Sequence, residues 1–386
     1  MLCYVHVPFC VSKCRYCAFH SIPFSSDDAS FFVHLVKAEI IQWSKVLGAK
    51  HFDTVYFGGG TPSLLKPQQI AEIVSTLEKH FTIAQGAEIT LEANPESIIQ
   101  PGLLADLHAL GINRLSLGLQ SMSDTTLKVL GRPHTAKESR QAVHLARDVG
   151  FTNVSLDAIW GVPGQTLHNW AEDLQDIIAL EPDHLSAYAL TLEEGTVLAR
   201  QAEDNLWLMP TDEAMAEMYI HTVERCQAAG LAHYEVSNFA HPGKESRHNY
   251  GYWTGIDYLG LGPSAVSTIK NHRWTNPCPL VAYEQVIQNN KKRQEENLSQ
   301  KTRNYEEIML ALRTTKGVGF EELFPQKPIR PDCEMFHILT RLQDQGLIRL
   351  QSDSLSLTSS GMLVSNSIIE LVLETMDHQH ADTRLS

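Results

Sequence analysis

The chain lacks any run of about 18 apolar residues, so no segment is long enough to cross a membrane as a helix. Its start, Met1-Leu2-Cys3-Tyr4-Val5-His6, has neither a basic region nor a long apolar stretch, so no signal or transit peptide is expected there. Positive charge is also short: 31 Lys and Arg face 45 Asp and Glu, a net of −14. A protein whose main task is gripping nucleic-acid phosphates should be basic, so that class is set aside. No internal repeat is present, and 43% apolar with 20% charged residues excludes wholesale disorder. At roughly 100–200 residues per domain, 386 residues allow two or three domains with cores large enough to do without staples. Cysteine is scarce and uneven. There are seven, at 3, 10, 14, 17, 226, 278 and 333, and four fall in the first seventeen residues. An odd count without an export signal points to a reducing cytoplasm and to metal or redox chemistry, not to a disulfide framework.

Strand and helix signals alternate through residues 1–235. Short β-type runs at 4–7, 54–57, 88–92, 114–119, 154–159 and 184–190 alternate with helical runs at 28–47, 67–81, 101–110, 136–149, 167–180 and 210–229. Gly or Pro marks most junctions. Six strand–helix units predict an α/β domain with a parallel sheet and helices outside it, either open and doubly wound or curled into a barrel. Residues 236–300 are rich in Gly and aromatics and are expected to be a connecting region, with a polar linker at 288–303. From 301 to 386 the order helix, short helix, helix, hairpin, helix predicts a smaller winged-helix-like domain, its last helix at 359–373.

The strongest motif is Cys10-x-x-x-Cys14-x-x-Cys17, on a loop after the first strand. Three thiolates can hold three irons of a cubane cluster and leave the fourth iron open for chemistry. A zinc knuckle is the alternative, with His6 or His20 as fourth ligand, though neither has a standard spacing. A second feature is Gly58-Gly59-Gly60-Thr61-Pro62 after the second strand, where absent side chains let a ligand approach the backbone. Glu92, Gln120 and Asp157 stand at or near the ends of successive strands, and Arg132 follows shortly after Gln120. Parallel βα sheets collect their active sites at that face. Tyr4 and Tyr16 flank the cysteine loop.

The three-cysteine spacing with the Gly-rich loop resembles the radical S-adenosylmethionine (SAM) superfamily. More narrowly, Tyr4-Val5-His6-Val7-Pro8-Phe9-Cys10 and Arg15-Tyr16-Cys17 resemble the oxygen-independent coproporphyrinogen III oxidases and their HemW relatives. The resemblance covers nearly the whole chain. It implies a partial (β/α)6 TIM-like barrel, and a [4Fe–4S] cluster on Cys10, Cys14 and Cys17. It also implies SAM held by Gly59, Gly60, Thr61, Glu92, Gln120, Arg132 and Asp157, with Tyr4 and Tyr16 stacking on adenine or shielding the cluster.

His248-Asn249-Tyr250-Gly251-Tyr252-Trp253 matches the H-N-x-x-Y-W signature of the HemW group, which is associated with binding haem and handing it to an acceptor protein. By that resemblance His248, Asn249, Tyr252 and Trp253 contact haem. Two departures count against the oxidase, the runner-up. Cys17 is followed by Ala18-Phe19 where the oxidases usually carry another Cys, and only nine residues precede Cys10. Ser246 stands where relatives often carry a Cys.

Cys3, Cys226 and Cys333 are expected to be structural, and Cys278 takes no role. The candidate recognition helix of the C-terminal domain carries Asp332, Glu334 and Asp344 against Arg341 alone, so it is expected to dock a partner or cover the barrel rather than bind DNA. A homodimer and a peripheral membrane contact stay compatible with the sequence.

Overall fold

The computed structural model describes residues 1–204, 208–289, 291–323 and 334–382. Asp332, at the start of the candidate recognition helix, and Cys333 lie outside the described residues.

Strands β1 (Leu2–Val7), β2 (His51–Gly59), β3 (Thr82–Ala93), β4 (Arg114–Gln120), β5 (Val154–Trp160) and β6 (His184–Ala189) pair in chain order, all parallel. Between and after them run α1 (Ser26–Leu47), α2 (Pro67–His80), α3 (Leu103–Ala109), α4 (Ala136–Val149), α5 (Leu167–Ile178) and α6 (Asp212–Ala228). Local chemistry sets their bounds. Before α4, the Thr135 side chain accepts from Glu138 N–H while the Glu138 side chain accepts from Thr135 N–H, a closed capping box. Gly150, at φ +105, ends that helix in a left-handed turn. Its buried Ala136, Ser139, Ala142, Val143 and Ala146 recur at helical spacing and face the sheet.

The expected boundary near 235 and the linker at 288–303 need correction, because the main sheet runs straight through both. Strands β7 (Ala232–Glu235) and β8 (Asn238–Ala240) add antiparallel strands beyond β6. At the other edge β9 (Tyr258–Leu261) pairs parallel with β1, and β10 (Val266–Ile269), β11 (His272–Thr275) and β12 (Gln294–Asn297) extend it antiparallel. One sheet of twelve strands results, in the order β12-β11-β10-β9-β1-β2-β3-β4-β5-β6-β8-β7. The linker reading failed because β12 is wholly exposed and polar, an edge strand with no apolar face to betray it. Within the expected connecting region, residues 247–253 form α7 (Arg247–Trp253), capped by the Ser246 side chain accepting from Asn249 N–H.

The C-terminal part has helices α9 (Gln300–Ala311), α10 (Glu334–Asp344) and α11 (Ser365–Asp382), with α8 (Leu280–Asn289) preceding them. A small antiparallel sheet of β13 (Val318–Gly319), β14 (Ile348–Leu350) and β15 (Ser354–Leu357) pairs in the order β13-β15-β14. This is the expected winged-helix-like arrangement, except that the last helix is broken. A short helix at Ser359–Leu363 ends at Val364 before α11 begins. The part is hydrogen-bonded to the barrel by Val236 N–H to the Arg313 carbonyl and by Thr315 N–H to the Tyr234 carbonyl, at 2.9 and 3.1 Å.

Candidate functional site

The carboxyl ends of the parallel strands open into a cavity of about 690 Å³. The cysteine loop closes one side of it. At the loop's base Phe9–Cys10 pairs with Ile22–Pro23, and Arg15 N–H donates to the Leu130 carbonyl. Cys10, Cys14 and Cys17 all line the cavity, half-buried, together with Tyr16. Burial, reinforced by the neighbouring thiols, pushes the Cys17 thiol above its ordinary value. The Gly-rich loop lies opposite. A Cβ on Gly60 would sit 2.5 Å from the Phe9 carbonyl oxygen, and one on Gly59 would meet the His6 ring at 2.6 Å. Only glycine lets this loop pass so close to the cysteine loop.

Gly59, Gly60, Thr61, Glu92, Gln120, Arg132 and Asp157 line the same cavity. Glu92 accepts from Tyr56 O–H at 2.7 Å and from Gly59 N–H at 3.1 Å. Burial pushes its carboxyl up to about 7 against the pull of those two donors. Asp157 is also raised by burial, opposed by hydrogen bonds from Ser186 and Ser116. Arg132 donates to Cys14 Sγ at 3.2 Å, to Asn94 Oδ1 at 2.5 Å and to the Gly118 carbonyl at 2.9 Å. Its buried Nε has no partner. Gln120 holds a left-handed φ of +66, a costly state for a non-glycine residue, where β4 bulges against β5. Thr61 donates to Cys10 Sγ at 3.8 Å.

These residues fit the groups the motifs imply. Among the described residues no three Cys, His, Asp or Glu side chains gather on one point as a single-ion site would need. The three half-buried thiols on one loop along the cavity can each take a separate corner of a cluster. The open glycine backbone, the orphaned Arg132 Nε and the carboxylates beyond it suit a zwitterionic nucleoside ligand.

Four expected site residues are not on the cavity wall. Tyr4 lies beneath it, its hydroxyl 3.0 Å from His6 Nδ1. His248, read as a haem contact, is 1% exposed. Its Nδ1 meets Thr54 Oγ1 at 2.7 Å, its Nε2 meets Tyr252 O–H at 3.0 Å, and its ring stacks on Tyr56 at 4.8 Å. Burial holds its imidazole down to about 3. With both ring nitrogens bonded and its ring enclosed, His248 stands off the cavity wall, and the expected contact with a ligand in the cavity is not one that it makes as placed here. Tyr252 shares this layer, Trp253 ends α7 off the lining, and of the four expected haem contacts (His248, Asn249, Tyr252 and Trp253) only Asn249 lines the cavity.

Other lining residues escaped the sequence reading. Arg114 and Ser116 on β4, Ser155 on β5, and His184, Ser186 and Tyr188 on β6 all face the cavity. They alternate with buried Leu115, Leu117, Val154, Leu156 and Leu185, and this polar–apolar alternation within strands expected to be buried was the available signal. Asn94 and Tyr56 are further members of the wall.

An open parallel barrel with a three-cysteine loop at its carboxyl mouth defines the radical SAM class. Residues 4–177 match the family model described as the Radical SAM superfamily, and 298–364 match the HemN C-terminal domain. The chain belongs to the HemW family of radical SAM proteins. It is 34% identical over 375 residues to "Heme chaperone HemW" of Mycobacterium tuberculosis, covering 96% of this chain and 94% of the relative. It is 32% identical over 369 residues to the Bacillus subtilis protein of the same name, covering 95% and 97%. The mitochondrial "Radical S-adenosyl methionine domain-containing protein 1" of Bos taurus is 33% identical over 394 residues, covering 97% and 87%. The solved structure of coproporphyrinogen III oxidase (HemN) from Escherichia coli superposes with a TM-score of 0.81 at 24% identity, over 97% of this chain and 89% of that one, which shows the shared fold. Radical SAM membership implies a [4Fe–4S] cluster and SAM. No helix among the described residues is long and apolar enough to cross a membrane.

Proposed function

We propose that this chain is a haem chaperone: it carries a [4Fe–4S] cluster on Cys10, Cys14 and Cys17, holds SAM in the adjoining cavity, and binds haem for transfer to an acceptor protein in the cytoplasm. The observation that carries the reading is end-to-end similarity to proteins named as haem chaperones, in a chain whose three-thiol loop and polar cavity are both intact. A cluster held by three thiols supplies an electron at an iron corner that the protein leaves open. Arg132 and the Thr61 hydroxyl would stabilise negative charge on the sulfurs they touch. The backbone of Gly59 and Gly60 would receive the amino-acid end of SAM, and Glu92, Gln120 and Asp157 its polar groups. Glu92, held near neutrality and anchored by Tyr56, would orient that ligand without adding a full negative charge.

The haem seat is proposed to lie outside the His248 layer, with Asn249 that segment's remaining contribution at the cavity. The test takes one anaerobically reconstituted preparation through two assays. Titration with haemin is expected to give a stable complex whose haem passes to an added apo-acceptor. Incubation with coproporphyrinogen and SAM is expected to give no multiple-turnover decarboxylation. Decarboxylated product at many turnovers without a stable haemin complex would sink this reading in favour of the oxidase.

A further inference from the structure

At its deep end the cavity holds a guanidinium to which no carboxylate among the described residues is hydrogen-bonded. Arg114 begins β4 and is 2% exposed, yet it lines the cavity. Its Nη1 donates to Asn153 Oδ1 at 2.7 Å and to the Lys244 carbonyl at 3.2 Å. None of these partners is a carboxylate, and its Nε has no partner. The Nε–Nη2 edge, which grips a carboxylate with two parallel bonds, is therefore unused. Asp157 faces the same space and feels the Arg114 charge, but its hydrogen bonds come from Ser116 and Ser186 and it is not bonded to the guanidinium. His184 is held neutral by burial and by Arg114 itself, so it adds no second charge. Arg132, the cavity's other guanidinium, is engaged by Cys14 and Asn94.

A second orphan lies alongside. Thr90 of β3 is paired in register with Arg114, so the two side chains share one face of the sheet. Thr90 is 0% exposed and its hydroxyl has no partner. Two unsatisfied buried polar groups thus stand side by side, Arg114 on the cavity wall and Thr90 next to it outside the lining, and they call for an occupant. Ser155, Ser246 and Asn249 complete the polar wall. From Arg114 to Gln120 at the mouth the strand rises roughly 20 Å, so this floor is separate from the loop that holds the cysteines.

We propose that the cavity floor is a carboxylate-binding site, with the free edge of Arg114 as its main donor and the Thr90 hydroxyl beside it. The carboxylate belongs either to a free small acid or to a side chain of a larger ligand that reaches up toward the cysteine loop.

The experiment uses the full chain with its cluster reconstituted. Sodium propionate is titrated calorimetrically against a chloride control. Haemin and its dimethyl ester, which lacks free carboxylates, form the second arm. Thr90→Val removes a hydroxyl that bonds to nothing in the protein, so its melting temperature should match the wild type. Arg114→Lys keeps the charge and loses the fork. Saturable propionate binding, weakened about tenfold by each variant, establishes the site for a free acid; tenfold is the worth of one hydrogen bond. Tighter binding of haemin than of its ester, lost to the same degree in both variants, establishes it for a larger ligand, an arm that rests on the haem reading above. Carboxylate binding no better than chloride, and haemin binding equal to ester and unmoved by either variant, overturns the floor site while leaving the haem reading standing.

Discussion

Gly60 carries a hydrogen where any other residue would put a carbon 2.5 Å from the Phe9 carbonyl oxygen. That oxygen also accepts from Thr61 N–H at 2.7 Å, and Gly60 N–H donates to the Val7 carbonyl at 2.8 Å. The two loops that face the cavity are thus laced together by backbone, which cannot swing aside. Gly60→Ala is expected to cost on the order of 1–3 kcal/mol by forced backbone movement and to reduce cluster loading on reconstitution. Unchanged melting and full iron content would show that the loops tolerate separation. His248 makes a different prediction. Burial holds its imidazole down to about 3, while the unfolded chain takes up the proton near 6.5. Its contribution is therefore complete above the unfolded value and drains away as pH falls toward the folded one. The stability gap between the wild type and His248→Gln should shrink by about 2 kcal/mol from pH 7 to pH 5, measured by denaturant unfolding. A gap that stays constant over that range would mean the ring is open to water, and would restore it as a candidate ligand.

Among the elements, α1 does more than cover the sheet. Glu39 lies on its buried stripe, between Val36 and Ile40, and is 0% exposed. It accepts from Gly262 N–H at 2.9 Å, Asn276 Nδ2 at 2.9 Å, Tyr283 O–H at 2.6 Å and Arg293 Nη2 at 3.1 Å. One carboxylate so ties α1 to β9, β11, α8 and the approach to β12. Removing the charge from one partner of a buried, networked pair strands the other, so Glu39→Gln should cost on the order of 2–4 kcal/mol in urea unfolding. A loss below ~0.5 kcal/mol would reduce the network to a set of interchangeable contacts. A glutamate inside an apolar helical stripe was visible in the sequence, but its partners, more than 220 residues away, were not. The same limit governed the rest. β1 to β6 were legible because Gly and Pro bracket short apolar runs. β9 to β12 are four residues each, and their strand character comes from pairing with β1 and with one another. At the site, polar residues at strand ends were legible from the parallel βα pattern. Arg114, Ser155 and His184 were not, because they stand at the opposite ends of their strands, where that pattern predicts only core.

At the scale of the whole molecule, the cluster site and the fold are separable. Small metal domains fold because the metal binds, since they cannot bury enough apolar surface otherwise. Here one continuous core runs from Cys3 on β1 through all six parallel strands to Met376 in α11. The cysteine loop contributes little to it: Val11 is 68% and Phe19 69% exposed. Its backbone is held at few points, among them Arg15 N–H to Leu130, Ile22 N–H to Pro8 and Phe24 N–H to Cys10. Replacing Cys10, Cys14 and Cys17 together by Ala is therefore expected to abolish cluster absorbance while leaving far-UV dichroism and a cooperative thermal transition in place. The loss should appear locally instead. Without the cluster the loop is tied only by those backbone bonds, and its local opening becomes cheaper than global unfolding. Limited proteolysis should then cut the triple variant first between residues 11 and 21, at Lys13 or Arg15 with trypsin, many times faster than the cluster-loaded wild type. Loss of the cooperative transition in the triple variant would mean that the cluster organises the barrel itself, and that the core inherited from the sequence is insufficient alone.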